Sequence, residues 1–283
     1  MSDIQPILGT NQDPFFDAQR GFPEPEDTVR LIADAGLTLF ELCPEYLHQT
    51  ADVLTPGRRR DVRKAAEDAG VRIIIHASYC SLNFCFLNEH VRRTSIEQFK
   101  REIELASDLE SRFITIHPGP PFGIAEWYDT EMFRKMILVG YAELVNCARP
   151  LGVTICTENI PFPHLYSIEF MGSVLSALDT ENFGLTFDLG HHNLMYHDLE
   201  AQERMTSMAG VLRRFGPRVK VLHIHDNNGK GDDHAALGTG EIDFETVLNA
   251  ALESCPNALW SMELQQHDAV EQSVGYLKKV ETG

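Results

Sequence analysis

Residues 219–244 read VKVLHIHDNNGKGDDHAALGTGEIDF. The stretch opens on a nearly continuous apolar run, Val219–His223, of the kind that forms a parallel strand buried on both faces. It turns polar and glycine-rich, then resumes with Phe244, Val247, Leu248 and Ala251. Their spacing of three and four lays one apolar stripe along a helix. This is one strand-loop-helix unit, and the rest of the chain repeats it. Strand-like runs lie at Val71–His76, Phe113–His117, Val153–Glu158, Gly184–Asp188 and Ala258–Glu263, and the earlier runs Gln5–Gly9 and Leu37–Leu42 complete eight. Helical stripes fall between them, as in Ile96, Phe99, Ile103 and Ala106, or Phe133, Met136, Ile137, Gly140 and Leu144. Thr55-Pro56 reads as an N-cap and first helical residue, and Gly70 and Gly152 as helix ends. Glu24–Gly36 and Asp268–Lys279 supply the first and last helices.

With no helix-only or strand-only block, this alternation predicts an α/β protein, a (β/α)8 TIM barrel forming a single domain over residues 1–283. A doubly wound open sheet would carry a glycine-rich phosphate turn after its first strand. Gly9-Thr10-Asn11-Gln12 is not GxGxxG.

Composition narrows the partners. The 283 residues are 43% hydrophobic and 23% charged, an ordinary globular balance. The net charge of -18 repels nucleic-acid phosphates, so a nucleic-acid partner is not expected. Arg58, Arg59 and Arg60 open a helix and read as a solvated face. No apolar run approaches the ~20 residues that span a bilayer, so no membrane partner is expected. Met1 to Asp13 has neither a basic nor an apolar region of a secretory signal. Cys43, Cys80, Cys85, Cys147, Cys156 and Cys255 form no CxxC pair and read as buried or partly buried free thiols. The expected location is cytoplasmic.

Polar residues stand where the strands stop. His76, His117, Glu158, Asp188, His223 and Glu263 end six runs, roughly 30 to 40 residues apart, about one βα unit each. In a barrel the C-terminal strand ends converge on one mouth. Carboxylates gathered in one cleft are costly without a cation. Mixed His and carboxylate ligation suits Zn2+, Mn2+, Fe2+ or Co2+ better than Ca2+. His191, Asp232 and His234 lie in loops that can reach the same volume. His225 shares a strand face with His223 and is expected to orient a ligand by a hydrogen bond. Glu41 ends the second strand and is left outside the predicted site. His48, His90, His164, His192, His197 and His267 read as surface or structural. Phe122, Trp127, Tyr128, Phe162 and Tyr166 are candidates to line a substrate pocket.

The segments IIIHASYCSLNF, FITIHPGPPFG, TICTENIPF, FDLGHHN, HIHDNNGKGDDHAALGTGEIDF and SMELQ resemble the successive strand-end motifs of the xylose isomerase-like barrel superfamily. That group holds sugar phosphate isomerases and epimerases and the endonuclease IV family. The resemblance runs from about residue 25 to the C-terminus. Its most specific part is HxxD followed by DxHxxLGxGxxDF, from His223 to Phe244. In the isomerase branch it implies one divalent ion held by Glu158, Asp188, His223 and Glu263, with Glu158 and Glu263 as the catalytic proton carriers. In the endonuclease IV branch it implies three zinc ions, with His76, His117, His191, Asp232 and His234 as further ligands. Two departures stand out. Asn228 and Gly229 occupy positions where ketohexose epimerases and inosose dehydratases carry a substrate-gripping Arg. Glu158-Asn159-Ile160-Pro161-Phe162-Pro163 replaces the glycine-containing segment of the endonucleases. Tyr79 matches a tyrosine shared across the superfamily.

Three functions are therefore in play. The first is a metal-dependent isomerase or epimerase of a sugar or sugar phosphate, or a related lyase. The second is a multinuclear phosphodiester hydrolase, and the third an accessory sugar-binding barrel. One ion is the leading expectation, with up to three as the alternative. The partner is a small sugar-derived molecule. The resemblance also leaves a homo-oligomer open.

Overall fold

The structure, a computed structural model, describes residues 6–46, 49–118, 130–161 and 167–282. Eight parallel strands close into a barrel in sequence order. They are β1 (Leu8–Asn11), β2 (Leu39–Leu42), β3 (Arg72–His76), β4 (Phe113–Ile116), β5 (Thr154–Glu158), β6 (Phe183–Asp188), β7 (Val219–Ile224) and β8 (Leu259–Met262). Between them run α1 (Pro25–Asp34), α2 (Pro56–Ala69), α3 (Glu89–Asp108), α4 (Thr130–Ala148), α5 (Ile168–Ala177), α6 (Leu189–Met195), α7 (Ala201–Phe215) and α8 (Phe244–Ser254), with α9 (His267–Thr282) last. The predicted (β/α)8 TIM barrel is the observed fold. The contacts group the chain into two compact units, Met1–Glu41 with Ala65–Arg72 and Thr186–Gly283, and Leu42–Lys64 with Ile73–Leu185.

In the first unit β1 lies between β2 and β8, with Gly9 opposite Leu39 and Ser261. Leu39 crowds Gly9 so closely that a Cβ there would sit 1.9 Å from the Leu39 carbonyl oxygen. The neighbouring Thr10 is fully buried and donates its hydroxyl to the Met262 carbonyl at 2.7 Å. The strand runs from Leu8 to Asn11, beyond the expected end at Gly9, and Gln5 lies outside the described residues. Its core-facing positions are a glycine and a threonine, so its apolar run is a poor guide to its register.

In the second unit the rings of Phe84, Phe99, Tyr141 and Phe183 pack edge to face or tilted, with centroids 5.0 to 5.9 Å apart. The Tyr141 hydroxyl donates to the Ile116 carbonyl at 2.6 Å and accepts from the Thr157 hydroxyl at 2.8 Å. One buried side chain thus ties together the ends of β4 and β5, beside His117 and Glu158.

The remaining strands fall within two residues of their expected bounds, and β2 and β6 are buried throughout, as two-sided parallel strands should be. Gly70 and Gly152 end helices in the left-handed conformation, at φ 68° and 70°. The short helix α6 was not expected from the sequence. Its N-cap is Asp188, whose carboxylate accepts the His191 N–H at 2.5 Å. Arg59 is not a solvated residue. It donates to the Leu54 and Ala51 carbonyls and pairs with Asp108 at 2.7 Å. All six cysteines are free, and Cys80 is exposed rather than buried. Among the described residues no helix is long and apolar enough to cross a membrane.

Gly9→Ala should destabilise the protein by about 3 kcal/mol, because a backbone carbonyl cannot swing aside as a side chain can. A urea midpoint unchanged from wild type would contradict this close approach.

Candidate metal centre

In the first unit, β6, β7 and β8 deliver Asp188, His223 and Glu263 to one place. His223 Nδ1 lies 3.4 Å from Glu263 Oε2 and 3.8 Å from Asp188 Oδ2. Bonds of about 2.0–2.1 Å to zinc set ligand atoms about 3.4 Å apart around a tetrahedral ion, so these separations suit a shared cation. Asp188 and His223 are fully buried, whereas the Glu263 side chain keeps 11% exposure. Of the three, Glu263 is the one a bound molecule can touch.

His223 is aimed by a residue that the sequence reading set aside. Glu41, at the end of β2 and fully buried, lies 3.0 Å from His223 Nε2. A carboxylate can only accept, so Nε2 carries the proton and Nδ1 turns its lone pair toward Asp188 and Glu263. A carboxylate behind a ligating imidazole fixes its tautomer and raises its basicity. The signal was present in the sequence: Glu41 ends its strand as Glu158 and Asp188 end theirs.

A second cluster adjoins the first along α6 and the loop after β7. His191, His225, Asp232 and His234 each offer a ligand atom within 4.8 Å of the others. His191 Nε2 and His234 Nε2 stand 3.3 and 3.4 Å from Asp232 Oδ2. Burial opposes charge on Asp232, but hydrogen bonds from both imidazoles overcome it and hold the carboxyl well below its usual range. Burial likewise disfavours charge on His234, yet the Asp232 hydrogen bond and the nearby Glu263 raise it to about 9. The cluster thus favours positive charge. His225 stacks on His234 with ring centroids 4.1 Å apart. A Cβ at Gly190 would lie 2.1 Å from the His225 ring, so only glycine allows α6 to pass there.

The loop between β7 and α8 is organised by Asp226, which the sequence reading quoted only as part of HxxD. Its carboxylate accepts backbone N–H bonds from Asn227, Gly238, Gly240 and Ile242 at 2.8 to 3.2 Å. The LGxG segment is therefore the complement of the aspartate of HxxD. Together they close the loop that presents Asp232 and His234.

In the second unit, Glu158 is fully buried and meets two imidazoles, His117 Nε2 at 2.9 Å and His76 Nε2 at 3.5 Å. His76 donates Nδ1–H to the Ala77 carbonyl, which leaves Nε2 as its ligand atom. Tyr79 packs against both rings, at 5.3 and 5.5 Å. Its loop is gripped from two sides. Glu45 accepts from the Tyr79 and Cys80 amides and the Ser81 hydroxyl, and buried Glu102 accepts from the Ser78 amide and hydroxyl. Burial pushes the Glu102 carboxyl up to about 7, against the lowering effect of its bonds to Ser78.

The other histidines are as expected where they are described. His90, His197 and His267 are exposed, and His192 is buried against Ser207, where burial lowers its pKa to about 3. His48, His164, Phe122, Trp127, Tyr128, Phe162 and Tyr166 lie outside the described residues.

The family model described as xylose isomerase-like TIM barrel matches residues 29–280. The chain belongs to this family. Among solved structures, a D-tagatose 3-epimerase-like protein superposes with a TM-score of 0.80 at 25% identity, over 97% of each chain. An uncharacterized protein of Methanocaldococcus jannaschii is 30% identical over 248 residues, 86% of this chain and 80% of its own. A probable endonuclease 4 of Thermotoga petrophila is 24% identical over 242 residues, 80% of each.

Two outcomes follow. Glu41→Gln should weaken metal binding about 10- to 100-fold while leaving the fold intact, as read by metal titration of the chelator-treated protein. Unaltered affinity would remove Glu41 from the centre. Glu102 binds its proton more tightly folded than unfolded, so it costs stability as pH rises from 4.5 toward about 7. Glu102→Gln should abolish a fall on the order of 3 kcal/mol across that window. Parallel pH–stability curves for wild type and variant would refute the buried-acid assignment.

Proposed function

We propose that the chain is a divalent-metal-dependent isomerase or epimerase of a sugar or sugar derivative, with Glu158, Asp188, His223 and Glu263 as metal ligands. The observation that carries this reading is the buried triad of Asp188, His223 and Glu263, with His223 locked by Glu41 and Glu263 left open to a bound molecule. Glu158 is included because it ends β5 as Asp188 ends β6, and because the family resemblance implies both as ligands. The donor set, three carboxylates with one imidazole, suits Mn2+, Co2+, Fe2+ or Zn2+.

A bound ion would supply Lewis acidity, polarising the substrate carbonyl and stabilising negative charge as it develops on oxygen. Glu263 and Glu158 do the proton chemistry. One carboxylate removes the proton from the carbon next to the carbonyl, and the other returns a proton from the opposite side. Asp188 and His223 hold the geometry. His76 and His117 hold the Glu158 carboxylate in place, and the Tyr79 ring covers both imidazoles. The 3-epimerase-like neighbour supports a ketose-like substrate.

A second reading keeps one specific observation in its favour. His76 and His117 converge on Glu158, and His191, Asp232 and His234 on one another, as a multinuclear phosphodiester hydrolase would require. The probable endonuclease 4 relative points the same way.

Purified without chelators, the protein should epimerise or isomerise a ketose in a metal-dependent manner. Glu263→Gln and Glu158→Gln should each lower kcat by about 10²- to 10⁴-fold. Cleavage of a phosphodiester with no proton exchange into any sugar would instead establish the hydrolase.

A further inference from the structure

The loop after β3 is fastened to α3 at both ends. Ser95 and Glu102 are buried on the face of α3 that also carries Ile96, Phe99, Ile103 and Ala106. Ser95 Oγ accepts the Asn83 N–H at 3.1 Å, and Asn83 Oδ1 accepts the Cys85 N–H at 2.7 Å. At the other end, Glu102 Oε2 accepts the Ser78 N–H at 3.0 Å and Oε1 accepts the Ser78 hydroxyl at 2.6 Å. Ser78 adjoins Tyr79, whose ring packs against His76 and His117, the two imidazoles that meet Glu158. A fully buried carboxylate is a costly way to hold one serine. A glutamine of the same length would offer the Ser78 N–H an acceptor as well. What glutamate alone adds is a charge that comes and goes with a proton.

We propose that Glu102 is a positioning residue: acting through Ser78, it sets how the Tyr79 ring stands against His76 and His117, and so the surroundings of Glu158. Ionised, Glu102 accepts from both Ser78 donors, and hydrogen bonds to a charged acceptor are the stronger kind. Protonated, one of its oxygens carries a hydrogen, and the Ser78 hydroxyl must turn to accept it. The grip on the loop then loosens. Burial brings this change up to about pH 7, against the hydrogen bonds from Ser78 and Gln98. Among the described residues, the titratable groups that face Glu102 are Glu45 and Cys43, both from the segment after β2. The Glu45 charge favours the protonated form, whereas the Cys43 thiol, pushed up to about 11 by burial, is neutral in this range. The loop is therefore held tightly above about pH 7 and loosely below it. The inference rests on the proposed proton chemistry for its effect on turnover, and the grip itself is read without substrate.

The test follows exchange of the Ser78 amide hydrogen from about pH 6 to about pH 8, corrected for the intrinsic pH dependence of exchange. It uses full-length protein purified without chelators, with turnover of D-tagatose measured alongside. Relative to Glu102→Gln at the same pH, wild-type exchange should slow by about 5- to 10-fold across that range. Ser78→Ala removes a bond that favours the ionised form, so the midpoint of the change should move to higher pH. Glu102→Gln should match the wild-type kcat at the acid end and fall about 10-fold below it at the alkaline end, with KM little altered. A merely structural role would lower kcat alike at both ends. Parallel exchange in wild type and Glu102→Gln would overturn the proposal, whatever the turnover. So would a kcat deficit of equal size at both ends. Should the glutamine variant not fold, an unmoved midpoint in Ser78→Ala would overturn it as well. Absence of metal-dependent turnover of any ketose would count against the proposed function, and the exchange result alone would then decide whether Glu102 holds the loop.

Discussion

Buried negative charge is the constraint on which the rest of the first unit depends. Glu41 and Asp188 are fully buried, and Glu263 and Asp232 stand close by, in a region that excludes most water. Carboxylates so placed repel one another and forgo hydration, and imidazoles alone offset this only in part. A divalent cation offsets it directly. The basicity of His234 and the acidity of Asp232 express the same demand: with no cation, the cluster takes up a proton. The barrel makes the arrangement possible, because β2, β6 and β8 each carry a carboxylate at or next to the end of an otherwise largely apolar strand.

Positioning comes from polar side chains that never meet a substrate. Glu41 orients His223 from behind, and Tyr141 ties the ends of β4 and β5 together. Asp226 accepts four backbone bonds and shapes the loop after β7. In each case a buried hydrogen bond removes a degree of freedom from a strand end or a loop. The motif HxxD with LGxG is thus a structural sentence as much as a chemical one: the aspartate and the glycine amides answer each other, and Asp232 and His234 lie between them.

Much of this was legible in the sequence, and the remainder has physical reasons for being hidden. Strands buried on both faces betray themselves by continuous apolar runs, so β3 through β8 were located within two residues. β1 was displaced because its interior positions are Gly9 and Thr10, which carry no hydrophobic signal. Strand ends reveal residue type and register, which is why Asp188, His223 and Glu263 could be named. They do not reveal which ring nitrogen faces which neighbour. Glu41 was set aside for that reason. α6 was missed because its start is set by a side chain, Asp188, that looked like a ligand and is also a cap.

The contact between Gly190 and His225 joins two positions 35 residues apart in the chain. Neither can drift independently. Across related chains, a larger residue at the first should accompany a smaller one at the second, and a lineage that replaced the imidazole would be released from the glycine. The pair therefore records, in the language of substitution rather than of coordination, which branches of the family kept this ring beside the strand-end carboxylates.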